Sequence, residues 1–587
     1  MTSRHGTPVT FDTFGGFYHA GCIDRPGRKA VLLLAPFGYE ELCTRATWRA
    51  LAENIAAAGH ACLRFDYPGT ADALDPVGDP DGISDWFVAA RHCMAFLREY
   101  NPGIELVLVG QGLGASLAAQ LGAESPDVAA TVLMAPLVKG RSYLRELQAW
   151  SRMLTERMGI GPDPLADNGY GVAGFPLAGS RAAAIQSIDL TQTTQSPSAK
   201  VLLVERSQSS RDSSIGNHLK TLGADVSSID YAGYEMILQD PTPAEPQLGT
   251  LRRIVSWIDD LAHLPMAGVN VSAKEMEPAR PIVGPRFEEL PVRFGPDERL
   301  FGVLCRPLDR KPSAIAVLAN SGRDYHVGWG RATVLQARAL AERGIASFRF
   351  DAGGIGDSPA SASAPAEVLY SEEQSADVRH AIDYVEKLDA GPIALVGRCS
   401  GAYAAFQVAV QDERVRNVVV INIMRFVWDP RETVAEAVLS AHRTISGSVA
   451  MLFRKESLRR VLAGHFRVKA PVIFVLKRLV RIISSSAGQI PAGESDQTLY
   501  REGHRRFQIL ESRGVRLAML FSEGDHALGE FRTYMGRKGN QLRRYPTASV
   551  SIIPDADHNF THLDARARLT NVLCDVLAAP SSLPFRA

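Results

Sequence analysis

The 587-residue chain contains the same succession of elements twice. In the first half, the strand-like run KAVLLLAP leads through a loop and a helical pattern to a second run, ACLRFDYPGTADAL. The second half repeats this order, from AIAVLAN to ASFRFDAGGIGDS. The triplet Arg64-Phe65-Asp66 recurs as Arg349-Phe350-Asp351, an offset of 285, and LVLVGQGLGASLAAQL recurs as IALVGRCSGAYAAFQV, an offset of 287. Such steady spacing indicates an internal duplication, so we expect two similar folding units.

Short apolar runs alternate with helical patterns in both units, which predicts an α/β fold with mostly parallel sheets. We expect a first domain over residues 1–262 and a second over residues 287–587. The stretch between them, residues 263–286, is rich in proline and small residues and has little periodicity, which is typical of a linker.

The second unit carries an insertion. More than ninety residues separate the strand NVVVINI from the next core strand RLAMLF. Amphipathic pieces in this interval predict a helical cap, at about residues 426–510, over the strand ends where α/β sheets bind ligands. Part of it, residues 453–486, holds nine Lys or Arg against one Glu. Two interpretations stay open: a solvated polar face of a cap helix, or a face that meets a membrane surface or an acidic carrier of the substrate.

Charge and cysteine content restrict the classes of function. The formal net charge is zero, which disfavours a nucleic-acid partner attracted by overall charge. The seven cysteines are scattered without a C-x-x-C pair, which is typical of reduced thiols. The N-terminal sequence does not resemble a signal peptide, and no stretch has the length and apolar character of a membrane span. We expect a cytoplasmic protein that needs neither a metal nor an organic cofactor.

The segment Gly397-Arg398-Cys399-Ser400-Gly401 has the G-x-S-x-G frame of a nucleophile elbow, with cysteine at its centre. The strand PIALVG precedes it and the helical pattern AYAAFQVAV follows, which is the strand–turn–helix context that the elbow needs. A cysteine at a helix N-terminus is stabilised as thiolate by the orphan N–H groups. We therefore predict Cys399 as the nucleophile, the alternative being a buried thiol in a turn.

An acid and a histidine should follow the nucleophile, each on a loop after a late strand. Asp525 follows RLAMLF and His558 follows ASVSIIP, so the order Cys399, Asp525, His558 is met. His558 would exchange protons with the thiol and the leaving group, and Asp525 would orient the imidazole. The rivals are Glu523 for the acid, and His526 and His562 for the base.

An oxyanion hole needs two backbone N–H donors. The N–H of Ser400 is predicted as one of them, because it directly follows the nucleophile. The other should come from Ser321, Gly322 or Arg323 in the loop after AIAVLAN, and the sequence does not choose among the three. Asp351, at the start of the run D-x-x-G-x-G-D-S, is interpreted as part of a structural turn.

The first unit lacks the corresponding chemistry. Gly112 occupies the nucleophile position in Gly110-Gln111-Gly112-Leu113-Gly114, and Ser116 lies a helical turn beyond it. Gln208 falls opposite Asp525, and Tyr234 falls opposite His558. The first domain is therefore predicted to be a degenerate, non-catalytic copy.

With these residues identified, both halves resemble the α/β-hydrolase superfamily. The segments APFGYEEL and NSGRDYHVGWG with their flanks are similar to serine-aminopeptidase-like or lipase-like bacterial hydrolases that accompany exosortase and exopolysaccharide systems. Those relatives usually have serine where this chain has Cys399. The resemblance supports Asp525 and His558, and cysteine-elbow members of the superfamily include dienelactone hydrolases, some thioesterases and polyester synthases.

The resemblance implies acyl-group chemistry through an acyl-thioester on Cys399. The substrate would be a small-molecule or carrier-bound acyl compound. Hydrolysis, as by an esterase or thioesterase, is the first expectation. Transfer of the acyl group to an amine, alcohol or thiol is the second, and a non-catalytic scaffold is the third.

Overall fold

The structure is a computed structural model of the whole chain. It describes residues 5–22, 25, 27–78, 81–158, 170–172, 174–206, 210–238, 241–242, 244–261, 276–365, 367–434 and 494–578. Among these residues, no helix has both the length and the apolar character that crossing a bilayer requires.

The first half forms an eight-stranded sheet with the spatial order β1-β2-β4-β3-β5-β6-β9-β10. Its first two pairings are antiparallel and the remaining five are parallel. A separate antiparallel hairpin consists of β7 and β8. The strands are β1 (Thr7–Thr10), β2 (Gly15–His19), β3 (Ala30–Leu34), β4 (Ala61–Phe65), β5 (Leu106–Gln111), β6 (Val128–Met134), β7 (Tyr170–Val172), β8 (Phe175–Leu177), β9 (Lys200–Arg206) and β10 (Asp225–Tyr231).

The second half forms a nine-stranded sheet with the order β11-β12-β13-β15-β14-β16-β17-β18-β19. Apart from the additional edge strand β11, this order repeats that of the first sheet, strand for strand. The strands are β11 (Ile282–Val283), β12 (Phe287–Phe294), β13 (Leu300–Pro307), β14 (Ile315–Leu318), β15 (Ala346–Asp351), β16 (Ile393–Arg398), β17 (Val415–Ile421), β18 (Arg516–Ser522) and β19 (Ala548–Ile553).

Helices flank both sheets, so the central strands are buried on both faces and have nearly continuous apolar sequences. Strands β3, β5 and β14, for example, are buried at every position. The helices are α1 (Tyr39–Ala57), α2 (Ser84–Tyr100), α3 (Leu113–Glu124), α4 (Gly140–Met158), α5 (Gly179–Ser187), α6 (Ser210–Thr221), α7 (Tyr234–Ile237), α8 (Leu248–Asp259), α9 (Ala332–Glu342), α10 (Glu372–Glu386), α11 (Ser400–Gln411), α12 (Glu494–Ser512), α13 (Ala527–Met535) and α14 (Leu563–Ala578), with short 3-10 helices at Leu190–Gln192, Pro296–Glu298, Trp329–Arg331 and Asn540–Arg544.

The two α/β units confirm the predicted fold class. Strand β11 lies inside the stretch expected as linker, where it pairs with β12 because two apolar residues there can extend the sheet edge. The predicted cap at about 426–510 and the basic stretch at 453–486 fall mainly on residues 435–493, which lie outside the described residues.

Equivalent residues of the two units meet at their interface. Arg64 of the first unit pairs with Asp357 of the second. Arg349 of the second pairs with Asp72 of the first at 2.8 Å. Both the arginines and the aspartates are 285 positions apart in the sequence. Phe17 and Phe301, on the equivalent strands β2 and β13, pack edge to face at 4.7 Å between ring centroids. The duplicated units therefore associate much as two copies do in an isologous dimer.

Candidate active site

The chain makes a strained turn at Cys399, between β16 and α11. Cys399 has φ 54° and ψ −118°, a conformation that side chains other than glycine rarely adopt. A Cβ on Gly397 would lie 2.1 Å from the carbonyl oxygen of Gly401, and a Cβ on Gly401 would lie 2.1 Å from that of Asn320. Both glycines are thus required by close backbone packing, and the turn presents Cys399 at the carboxyl edge of the sheet.

The structure brings the other two predicted residues together. His558, in the loop after β19, places Nδ1 2.8 Å from Oδ2 of Asp525, in the loop after β18. His558 and Cys399 are close enough for each to shift the pKa of the other. His558 and Cys399 are 8% and 9% exposed, so the pair is shielded from most solvent. Asp525, not its rival Glu523, is the acid that contacts His558.

The electrostatics favour an ion pair between the thiol and the imidazole. Burial alone raises the pKa of Cys399, but His558, Arg398 and the backbone N–H of Ser400 outweigh it and hold the pKa below its usual value. Burial lowers the pKa of His558, but Asp525 and Cys399 together raise it to about 10. Burial alone raises the pKa of Asp525, but His558 and the backbone N–H of Ala527 together lower it below its usual value. The favoured state is therefore a thiolate beside an imidazolium.

Ser400 holds the loop between β14 and α9 against the elbow. Its hydroxyl accepts a 2.9 Å hydrogen bond from the backbone N–H of Gly322. Of the three loop residues expected near the oxyanion, Gly322 is thus the one joined to the elbow. Arg323 instead places its guanidinium 3.6 Å from the carboxylate of Glu367, and the carbonyl of Ser321 accepts from the N–H of Asp324.

Arg398, directly before the nucleophile, links the surrounding loops. It donates to Oδ2 of Asp324 at 3.1 Å and to the side chain of Asn559. Buried Asn422, after β17, donates to the carbonyl of His558 at 3.0 Å and accepts from the N–H of Ser522 at 2.8 Å. These residues fix the positions of the loops that carry the three candidate groups. Sequence reasoning missed them, because a single polar residue at a strand end matches no motif.

Tyr370 is a further residue that the sequence did not indicate. It has φ 62° and is 6% exposed, and its ring stacks on Trp428 at 4.3 Å between centroids. Tyr370 lies close enough to Cys399 for the two groups to influence each other electrostatically. Burial, together with the charge of Cys399, raises the pKa of Tyr370, so the phenol stays protonated and can donate to the thiolate.

The corresponding turn in the first unit contains no nucleophile. Gly112 has φ 55° and ψ −118°, and a Cβ there would lie 2.5 Å from Oε2 of Glu40. Gln111 and Tyr234 both donate to Oε1 of Glu40, at 2.9 and 3.0 Å. Burial raises the pKa of Glu40 despite these two hydrogen bonds. A buried carboxyl group therefore occupies the space of the missing side chain, while Gln208 lies outside the described residues.

One buried cluster has residue types that can bind metals. His326, Asp351 and Asp357 bring ligand-capable atoms within 4.8 Å of one another. Asp357 already pairs with two arginines, Arg45 and Arg64. Burial lowers the pKa of His326, but carboxylates on both sides raise it to about 10, so both ring nitrogens carry protons and offer no lone pair. The cluster fits an ion-pair network between the two units better than a metal centre.

Comparison with protein families finds a match in the first unit. Residues 27–161 match the model of a hydrolase family described as serine aminopeptidase, S33. The match covers less than half of the chain, so it shows what the first unit is similar to. The matched segment lies in the first unit, which contains Gly112 and not Cys399. The family match supports a hydrolase-type enzyme.

Comparison with solved structures finds α/β-hydrolase folds. Est1E from Butyrivibrio proteoclasticus is 13% identical, with 43% of this chain and 99% of that chain covered and a TM-score of 0.30. The esterase domain of a Rhodothermus marinus protein is 15% identical, with 43% and 96% covered and a TM-score of 0.30. Dienelactone hydrolase from Anabaena variabilis is 11% identical, with 47% and 90% covered and a TM-score of 0.28. At these values the likeness says nothing about substrate. No curated protein matches the sequence.

Proposed function

We propose that the second unit is an acyl hydrolase, an esterase or thioesterase, whose nucleophile is Cys399. The observation that carries the proposal is the strained elbow cysteine paired with His558, which is itself held by Asp525 at 2.8 Å. The lowered pKa of Cys399 favours the thiolate, which is the nucleophilic form of the side chain.

Acylation would begin when the thiolate of Cys399 adds to the carbonyl carbon of an ester or thioester. The backbone N–H of Ser400 and a donor from the Ser321–Arg323 loop would stabilise the negative oxygen that forms. Collapse of this intermediate would expel the alcohol or thiol, which takes its proton from His558. The product of this half-reaction is an acyl-thioester on Cys399.

Deacylation would return the enzyme to its starting state. His558, now neutral, would take a proton from water as the water oxygen adds to the thioester carbonyl. Collapse would release the carboxylic acid and restore the thiolate–imidazolium pair. An amine, alcohol or thiol in place of water would give acyl transfer by the same steps.

Intact-mass analysis after incubation with p-nitrophenyl esters and acyl-thioesters of several chain lengths tests the proposal. We expect an acyl adduct on Cys399 and release of free acid. Cys399→Ala should lose both, and Cys22→Ser, which removes an exposed thiol, should lose neither. Equal turnover by Cys399→Ala would overturn the nucleophile assignment.

The same experiment separates the alternatives. If an added amine, alcohol or thiol becomes acylated and less free acid forms, the protein is an acyltransferase. Absence of adduct and turnover with every substrate, while iodoacetamide still alkylates Cys399, would favour a non-catalytic scaffold.

A further inference from the structure

The loop at residues 320–328 carries the candidate oxyanion donors and is anchored from within its own unit. The side-chain amide of Asn320 donates to Asp351 at 3.1 Å, and the backbone N–H of His326 donates to the same carboxylate at 2.6 Å. Gly322 is tied to Ser400, as described above. These contacts hold the face of the loop that points toward its own sheet.

The opposite face of the loop is held by the first unit, through His326. Nδ1 of this histidine lies 2.8 Å from Asp351, and Nε2 lies 2.6 Å from Oδ2 of Asp72 in the first unit. His326 is 2% exposed, and its raised pKa keeps it doubly protonated, so it can donate to both carboxylates at once. Asp72 is in turn oriented by Arg349 at 2.8 Å.

Three other contacts from the first unit reach this loop and its continuation. The hydroxyl of Tyr325 donates to Oε2 of Glu41 at 2.9 Å. The hydroxyl of Thr242 lies 3.4 Å from the point that a Cβ on Gly322 would occupy. Just beyond the loop, Arg331 donates to the backbone carbonyl of Ala71 at 2.9 Å. The first unit therefore contacts the loop at the glycine that adjoins the elbow and again near its end.

We infer that the first unit, although it lacks a nucleophile, positions the oxyanion loop of the second, with Asp72 acting as a positioning residue through His326. This inference rests on the proposed acyl chemistry at Cys399. By this inference, the first unit contributes to catalysis in the second without binding a substrate itself. The reciprocal contact of Asp357 with Arg45 and Arg64 has no such effect, because the first unit has Gly112 where a nucleophile would stand.

The test compares two reactions of the same sulfur. Acylation of Cys399 by p-nitrophenyl acetate develops a negative oxygen and uses the oxyanion donors, whereas alkylation by iodoacetamide displaces iodide and uses none. In Asp72→Asn we expect the acylation rate constant to fall about 10- to 100-fold while the alkylation rate constant stays within about twofold. Both are measured by intact mass under single-turnover conditions on the full-length chain.

Asp85→Asn is the matched control. It removes the same charge from the first unit, but Asp85 pairs with Arg181 of that same unit. We expect it to keep the wild-type ratio of acylation to alkylation. Asp72→Glu retains a carboxylate, so its ratio of acylation to alkylation should lie between those of Asp72→Asn and the wild type.

Tyr325→Phe serves if Asp72→Asn does not fold, because it removes only the hydroxyl that reaches Glu41. A fall of about threefold in acylation at unchanged alkylation is expected for it. A wild-type ratio in whichever of these two variants folds overturns the inference and leaves the proposed function intact. If the wild-type protein is alkylated at Cys399 but acylated by no substrate, the proposed function fails and the inference fails with it.

Discussion

The elbows at Gly112 and Cys399 have the same backbone conformation, but different side chains lie at the two turns. Their φ angles are 55° and 54°, and both ψ angles are −118°. In each unit the preceding glycine packs against the backbone of the following helix, where a Cβ on Gly110 or Gly397 would lie 2.2 or 2.1 Å from a carbonyl oxygen. The strand–turn–helix packing thus sets the strained geometry whether or not a nucleophile is present.

What differs is the group that fills each turn. In the first unit the carboxyl group of Glu40 takes the space of the missing side chain and binds Tyr234, which stands where the other unit has a histidine. In the second unit a thiol meets an imidazole and its acid. The two elbows therefore differ in their side chains and not in the backbone conformation of the turn.

Replacing Cys399 with glycine, the residue at the first elbow, should have the largest effect on turnover. Cys399→Gly should reduce turnover at least about 1000-fold, because the nucleophile is gone. Its free energy of unfolding should be unchanged or higher by about 1 kcal/mol, since glycine relieves the positive φ. Ester-hydrolysis kinetics and urea denaturation measure the two quantities. A marked loss of stability would contradict the idea that this turn stores strain.

His558→Gln should remove the cation that favours the thiolate. The pKa of Cys399 then rises, so alkylation by iodoacetamide at neutral pH should slow by about 10- to 100-fold. The difference should shrink as the pH approaches about 10, where an ordinary thiol also ionises. In the wild type, alkylation should slow only as the pH falls through the lowered pKa of Cys399. His562→Gln should keep the wild-type pH profile, and an identical profile for both variants would contradict the pairing.

Gly112→Ala should show that the first elbow is adapted to the absence of a side chain. The new Cβ meets Glu40 and must adopt a positive φ, so we expect a loss of about 1–3 kcal/mol in the free energy of unfolding. Glu40→Ala combined with it should lose less than the sum of the two single variants, because the collision is removed. Thermal or urea denaturation measures these free energies. If the losses of the two single variants are additive in the double variant, contact between the new Cβ and Glu40 is not the source of the strain.

Tyr370→Phe should have the smallest effect. Loss of a hydroxyl that can donate to the thiolate should raise the pKa of Cys399 slightly and reduce the acylation rate constant by about three- to tenfold. Tyr403→Phe, on a ring 5.2 Å from Tyr370, is the matched control and should stay near wild type. Equal effects of the two changes would mean that Tyr370 acts through packing and not through its hydroxyl.

Much of the candidate site is local in the sequence and was predictable from it. The elbow is a five-residue motif between a strand and a helix, and Asp525 and His558 each directly follow a strand. The carboxyl ends of parallel strands meet at one edge of the sheet, so these positions had to come close together. Duplication helped, because the glycine in the first copy identifies Cys399, and not Ser400, as the central residue.

Tyr370, Arg398 and Asn422 were not predictable, because each acts across the fold. Tyr370 reaches Cys399 from a loop before α10, and nothing in its neighbouring residues marks that contact. The role of Ser400 was also only partly visible: its backbone position was expected, but the bond from Gly322 to its hydroxyl depends on how two loops pack.

The sequence by itself determined the duplication, the α/β class and the order of the candidate nucleophile, acid and histidine, because these depend on periodicity and short motifs. Only the tertiary structure decided how the two copies meet. Asp72 and His326 are 254 positions apart, and nothing local pairs them. Their contact exists because equivalent edges of the two units face each other, which brings a buried carboxylate of the first unit against the loop beside Cys399.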